Sequence, residues 1–333
     1  MLNINGWVGA IPPQYIYSNR RFLKVALNPP NFQEGSWVGA GKIIYDNYTQ
    51  QFIFTVRKRQ APPIRGGETT ILTSKDGENY KEAISITKEE LSKMSRLKIE
   101  SIEGQQILRD PLTGKLYFYV SIDTGRKWET ILLTSNEPEG EWKYEGIVIR
   151  CDKDYDKYEA RDPNIDIVDG QYIALYKANS GEQVNVALAK SSDGKNWVKL
   201  GVLSIDNHPQ PEYLQICGNL LPGTRGIMFI GLARRHVING CGLAKDYESY
   251  YLDMENLNLE TIFKTTWKPL SPYEREDYPT HGYFTMTYDP HKNRYLILVE
   301  GLDPKHTKQV GWRTQVDRLL LYEVPLDKTT PNQ

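Results

Sequence analysis

Cysteine is scarce in this chain, and so is net charge. Three cysteines stand among 333 residues, and 41 basic residues against 42 acidic ones leave a formal charge of −1. Cys151, Cys217 and Cys241 are widely spaced and form no Cys-x-x-Cys pair. This excludes a disulfide framework and points to free, buried thiols in a reducing compartment. The lack of a basic field argues against nucleic acid or an anionic membrane as the main partner. No apolar run approaches the length of a membrane span. The start, Met1-Leu2-Asn3-Ile4-Asn5-Gly6-Trp7, lacks the charged head and apolar core of a signal peptide. A cytoplasmic protein is the expectation. Histidines are few, at five, with no pair at i, i+4, so no metal site is expected. Asp152, Asp154 and Asp156 alternate as in a calcium loop, but Lys157 replaces the required glycine, and a solvated acidic loop is expected there. There is no phosphate-cradling glycine loop before a helix and no Gly-x-Ser-x-Gly elbow, so no cofactor is expected.

What the chain does have is tyrosine, at 22, with 7 tryptophans, and a hairpin phrase that recurs five times. Its second strands read Phe52–Val56, Leu116–Val120, Tyr172–Tyr176, Ile227–Gly231 and Tyr295–Val299. Tight turns such as Asp169-Gly170 precede several of them, a strong hairpin signal because this turn needs positive φ. A second phrase, Ser74-Lys75-Asp76-Gly77 and Ser191-Ser192-Asp193-Gly194, is followed by an aromatic residue, Tyr80 or Trp197. Sheet units repeating at this spacing must bury their faces on one another. The expectation is an all-β, five-bladed β-propeller in one domain, with blades of about four antiparallel strands over residues 36–85, 98–150, 159–205, 212–269 and 280–326. The stretch 21–27 would complete the last blade and close the ring, leaving few exposed edges. One helix is expected from Lys88, capped by Thr87 with Glu90 three residues on. The polar tail after Lys328 is expected to be disordered.

In a radial arrangement, residues just before each first strand face a central funnel. Glu100 and Glu103 stand there in unit two, Glu159 to Asn164 in unit three, Glu212 to Gln215 in unit four, and His281 in unit five. Glycosidic bond cleavage needs two carboxyl groups, one protonated and one ionised, and crowded acids separate their pKa values. Cations form a second set. Arg57 and Arg59 follow the second strand of unit one, with Arg65 beyond. Lys177 holds the comparable place in unit three, and Arg234, Arg235 and His236 in unit four. They can hold acids ionised, bind sugar hydroxyls or bind phosphate. Trp37 opens unit one, whose Trp37-Val38-Gly39-Ala40-Gly41 carries no acid.

The run Glu159-Ala160-Arg161-Asp162-Pro163-Asn164-Ile165, with its hairpin and the later Ser192 to Trp197, resembles the five-bladed propeller glycosidases, the superfamily of glycoside hydrolase families 32, 43, 62, 68, 117 and 130. Arg57-Lys58-Arg59, Arg65-Gly66-Gly67-Glu68 and Ser74 to Gly77 look most like families 43 and 130. The resemblance implies catalytic roles for Glu103 as base or nucleophile, Asp162 as the tuning acid and Glu212 as general acid. On the family 130 pattern Asp162 would be the general acid instead. Trp37, Arg57, Arg59, Arg65, Glu100, Arg161, Lys177, Gln215, Arg234 and His281 are the expected substrate-binding residues.

The leading expectation is therefore a glycoside hydrolase, inverting, acting on an oligosaccharide or glycoside. A phosphorylase using inorganic phosphate is the first alternative, motivated by the cations. A propeller that binds sugar or protein without catalysis is the second, motivated by the missing acid of unit one. Specificity is expected in the loops Thr124 to Trp128, Tyr273 to Tyr278 and Asp303 to Trp312.

Overall fold

The computed structural model describes residues 11–326. Almost all regular structure is strand. A short helix α1 (Pro13–Asn19) leads into β1 (Arg21–Leu27). Five sequential groups follow. The first is β2 (Trp37–Asp46), β3 (Gln51–Gln60), β4 (Arg65–Ser74) and β5 (Lys81–Thr87). Helix α2 (Lys88–Ser95) connects it to β6 (Ser101–Arg109), β7 (Leu116–Asp123), β8 (Trp128–Ser135) and β9 (Lys143–Ile149). The third group is β10 (Glu159–Val168), β11 (Gln171–Asn179), β12 (Val184–Ser191) and β13 (Val198–Val202), followed by the short β14 (Ser204–Ile205). The fourth is β15 (Gln215–Gly223), β16 (Gly226–Ile238), β17 (Cys241–Asp253) and β18 (Asn258–Thr266). The last is β19 (Thr280–Asp289), β20 (Arg294–Leu302) and β21 (Asp317–Pro325). Within each group, consecutive strands pair antiparallel. β1 pairs antiparallel with β21, so the N-terminal strand supplies the fourth strand of the last group.

The local chemistry accounts for the turns. Asp169 and Gly170 both have positive φ, at 52° and 77°, as a tight hairpin requires. The Ser-x-Asp-Gly phrase turns the third strand into the fourth. The Ser191 hydroxyl accepts the amides of Asp193 and Gly194, and Asp193 Oδ1 accepts those of Lys195 and Asn196. Ser74 and Asp76 repeat this arrangement. Helix α2 has the full capping box between Thr87 and Glu90. Helix α1 has no such cap and opens on prolines, which is why only α2 is legible in the sequence.

The apolar core is divided among the seams between groups. Ile44 and Ile53 of the first group pack with Ile107 and Phe118 of the second. Tyr119 packs with Tyr172 across the next seam, where Trp197 meets Tyr119 edge-on. Leu175 packs with Phe229, Ile230 with Phe284, and Leu298 with Phe54 across the remaining three. Each such side chain stabilises its seam by roughly 1.5–3 kcal/mol. The first strands β2, β6, β10, β15 and β19 touch in succession, and β19 touches β2. Their starting ends therefore converge, which positions the site.

Candidate functional site

The first strands are bulged near their inner ends. Register shifts fall at Ala40/Ile43 in β2, Glu103/Gln105 in β6, Arg161/Asn164 in β10 and Thr280/Phe284 in β19. A bulge adds a residue to one strand and re-aims its side chain, and such bulges concentrate beside active sites. Strand β15 runs without one, through Gln215 opposite Arg234. The second strands deliver polar residues to the same level: Arg57, Lys177, Arg234 and Glu300 each end an apolar run.

These residues surround a cavity of about 230 Å³. It is smaller than the ~300–1,000 Å³ typical of drug-sized ligands and suits a single ring or the end of a chain. Trp37, Arg57, Arg59, Arg65, Glu103, Arg161, Lys177, Gln215, Arg234 and His281 all line it. Trp128, Tyr213, Tyr283 and Trp312 complete the aromatic part of the wall.

Glu103 is the one carboxylate among the lining residues. It is buried between two guanidiniums. Arg57 Nε lies 2.8 Å from Oε2, and Arg59 pairs with Oε1. Burial alone would raise its pKa, but Arg57 and Arg59 outweigh burial and hold it at about 2, so it is ionised at neutral pH. Trp37 and Tyr283 support the two arginines, whose guanidinium carbons lie 4.4 Å and 4.6 Å from the respective ring centres. The acid missing from unit one now has a physical reason. Gly39 stands opposite Arg57, and a Cβ at Gly39 would lie 2.3 Å from Arg57 Nη1 and 2.8 Å from Glu300 Oε1.

The Arg161-Asp162-Pro163 segment turns at the bulge of β10. Asp162 has a φ of +49°, a left-handed conformation costing roughly 1–3 kcal/mol for a non-glycine residue. It is held there by Arg161 and Gln215, which donate to Oδ2 at 2.6 and 3.0 Å, and by its own amide, which donates to Ser121 Oγ at 2.9 Å. Asp162 Oδ1 is buried and has no hydrogen-bond partner among the described residues. Asp162 itself sits behind the lining residues. Glu159 bridges Arg161 and Lys177 at 2.9 and 2.8 Å. Burial acts to raise its pKa, and those two cations carry it well below the carboxylate range.

Under the fifth group lies a buried network that sequence reasoning missed. His281 Nδ1 is 2.7 Å from Glu300 and 3.1 Å from Asp317. Burial lowers the His281 pKa to about 4, so the ring is neutral at pH 7. Nδ1–H then donates to the carboxylates, and Nε2 accepts from Arg234 Nη2 at 3.2 Å. Burial pushes Glu300 up to about 7, against the opposing pull of Arg57 and Arg234. His281, Glu300 and Asp317 also hold their ligand atoms within 4.8 Å of one another, a spacing compatible with a metal ion. The i, i+4 criterion cannot find such a trio, because its members come from different strands. Glu300 was discoverable: it follows Tyr295–Val299 directly, as Arg57 and Lys177 follow their strands.

Three expected site residues do not line the cavity: Asp162, just behind its wall, and Glu212 and Glu100. Glu212 is exposed, and its carbonyl accepts the Val184 amide at the sheet edge. The inner position of the fourth group belongs to Gln215. Glu100 is half-buried, pairs with Lys98 at 2.9 Å, and lies outside the lining. Arg235 likewise lies outside the lining and pairs with the buried Glu248. The acidic loop also differs from expectation, since Asp156 is buried and bound by Tyr176 and Lys199. The three cysteines are free and buried. The expected tail after Lys328 lies outside the described residues.

No protein-family model and no curated protein sequence matches this chain. Solved structures do. A family 117 glycoside hydrolase of the marine bacterium Zobellia galactanivorans superposes with a TM-score of 0.61 at 17% identity, covering 95% of this chain and 93% of the other. The family 32 β-fructofuranosidase of Bombyx mori gives 0.62 at 14% identity, covering 95% and 66%. The β-1,2-mannobiose phosphorylase of Listeria innocua gives 0.58 at 11% identity, covering 92% and 97%. The chain thus has the fold of the propeller glycoside hydrolases and phosphorylases, the superfamily its Arg-Asp-Pro segment resembles.

Proposed function

We propose that this chain is a five-bladed propeller carbohydrate-active enzyme that cleaves a glycosidic bond in the cavity at the converging strand ends. The five seams and the succession of first strands back to β2 support the closed ring. One observation carries the catalytic reading: Glu103 lines the cavity and is held ionised by two guanidiniums. In hydrolysis it would take a proton from the attacking water as the bond to the leaving oxygen breaks, and that oxygen would take its proton from solvent, since Glu103 is the one carboxyl group among the lining residues. Asp162, fixed by Arg161 and Gln215 just behind the wall, would supply a second negative charge for a cationic transition state. No role is given to Glu212, which is exposed and is not among the lining residues.

A second reading is phosphorolysis, favoured by the lining cations Arg57, Arg59, Arg65 and Lys177. Incubation with a glycoside and oligosaccharide panel, with and without inorganic phosphate, separates the two. Free reducing sugar without phosphate, abolished by Glu103→Gln, supports hydrolysis. Sugar phosphate formed only when phosphate is added identifies a phosphorylase. Cleavage unaffected by Glu103→Gln overturns the assignment of Glu103.

A further inference from the structure

The direct contacts around the cavity leave one cation without a carboxylate partner. Six cations line it, and five of them sit in ion pairs: Arg57 with Glu103 and Glu300, Arg59 with Glu103, Arg65 with Asp123, Arg161 with Glu159 and Asp162, and Lys177 with Glu159. Arg234 is the exception. It is only 7% exposed, yet it forms no ion pair among the described residues. Its partners are neutral: Nε donates to the Gly242 carbonyl at 2.9 Å, Nη1 to Gln215 Oε1 at 3.1 Å, and Nη2 to His281 Nε2 at 3.2 Å. These spend three of the five guanidinium N–H groups and leave one on each terminal nitrogen. Glu300 feels the Arg234 charge only across His281, and a buried charge with no counter-ion in contact is costly, so such a site is built for a charge that arrives with the ligand.

The surroundings hold this cation in place and add further donors. Gly282, at a φ of +134°, leaves the space Arg234 occupies, since a Cβ there would meet its Cδ at 2.4 Å. The Tyr283 ring centre lies 5.5 Å from the Arg234 guanidinium; Tyr283 lines the cavity, and its hydroxyl has no hydrogen-bond partner among the described residues. Trp37 packs on His281 at 4.6 Å, and its buried indole N–H also lacks an acceptor. This corner is rich in donors and short of acceptors.

We infer that the corner formed by Arg234, Tyr283 and Trp37 binds the carboxylate of an acidic sugar, making a uronic acid residue the ligand of this cavity. One unpaired guanidinium matches a single negative charge, whereas a phosphate dianion would leave a charge uncompensated. The planar guanidinium, with one N–H on each terminal nitrogen, matches a planar carboxylate. The inference rests on the carbohydrate reading of the same cavity and specifies its substrate class.

The test is binding by the full-length protein, measured by calorimetry and thermal shift. The probes are D-glucuronate, D-galacturonate, D-mannuronate, L-guluronate and L-iduronate, each beside its neutral hexose, together with glucose 6-sulfate and inorganic phosphate. At least one uronate is expected to bind while its neutral counterpart does not. Arg234→Gln should weaken that binding about 10- to 150-fold, the range of a hydrogen bond to a charged group. Arg234→Lys, which keeps the charge and loses the fork, should restore only part of it. Failure of every uronate to bind overturns the inference, as does binding of phosphate or the sulfate ester alone. So does uronate binding that Arg234→Gln leaves intact in a folded protein. The outcome separates from that of the proposed function. Glu103-dependent cleavage of neutral glycosides without uronate binding keeps that reading and removes this one. Arg234-dependent uronate binding without cleavage of any glycoside does the reverse.

Discussion

Replacing Glu103 by glutamine tests the centre of the site, because it keeps the shape and removes the charge between Arg57 and Arg59. The magnitude follows from the structure. The two guanidiniums take the Glu103 pKa from an ordinary 4.5 to about 2. At 1.36 kcal/mol per unit this is a net contribution, after the opposing cost of burial, of about 3 kcal/mol. An independent figure, the roughly 3–5 kcal/mol lost when one partner of a buried pair is removed, agrees with it. Because the folded pKa is depressed, this stability is present above about pH 4.5 and disappears as pH falls toward 2. Urea denaturation of wild type and Glu103→Gln from pH 7 to 3 should therefore show a gap of about 3 kcal/mol at pH 7 that narrows below pH 4.5. Turnover of whichever glycoside the wild type cleaves should fall by about 100-fold or more in the variant, as for loss of a general base. Circular dichroism would establish that the variant is folded. A folded variant within about 1 kcal/mol of wild type at pH 7, with turnover within about tenfold, would refute both the electrostatic account and the catalytic one.

Glu300→Gln should act in the opposite pH window. Its pKa is raised to about 7, so its contribution is complete below about 4.5 and lost as pH rises through 7; denaturation curves of the variant should lose that slope. Gly39→Asp, which restores an acid to the first unit, should lower both stability and activity, because the new side chain meets Arg57 and Glu300. Overpacking of this kind costs about 1–3 kcal/mol, and Gly39→Ala should show the same loss in thermal melts. The thiols should resist a disulfide reagent in the native state and react on unfolding. Burial raises Cys151 and Cys217 to about 12 and Cys241 to about 11, and titration with and without denaturant counts them.

How far the site was legible depends on which rule was applied to which residue. Counting from the ends of the second strands brings Arg57, Lys177 and Arg234 to the cavity wall, because each apolar run keeps one unbroken ladder, with β4, β12 and β15 respectively. The same count yields Glu300, which a rule confined to acids before the first strands does not reach. That rule also selects Glu212, which is not at the register position. The ladder instead pairs Gln215 with Arg234 and leaves Glu212 at the edge. Bulges were beyond the sequence, since nothing local marks where β6 or β10 gains a residue. Yet those bulges decide that Glu103 lines the cavity while Asp162 stands behind it.

The arrangement of charge at the strand ends bears directly on mechanism. Glu159 and Asp162 meet the cavity only through Arg161 and Lys177, and Glu300 reaches it only through Arg57 and His281. The carboxylates thus stand behind cations, and the surface offered to a ligand is guanidinium, ammonium and aromatic ring. A neutral sugar would find hydroxyl-binding donors there but would leave Arg234 without a counter-charge. On the proposed reading an anionic sugar would supply that charge and leave the ionised Glu103 to act on the bond. Arg234 and Glu103 would then have separable tasks. Arg234→Gln should act mainly on KM, and Glu103→Gln mainly on kcat. Steady-state kinetics on one acidic glycoside would decide this, and equal losses in both parameters from both variants would contradict the division.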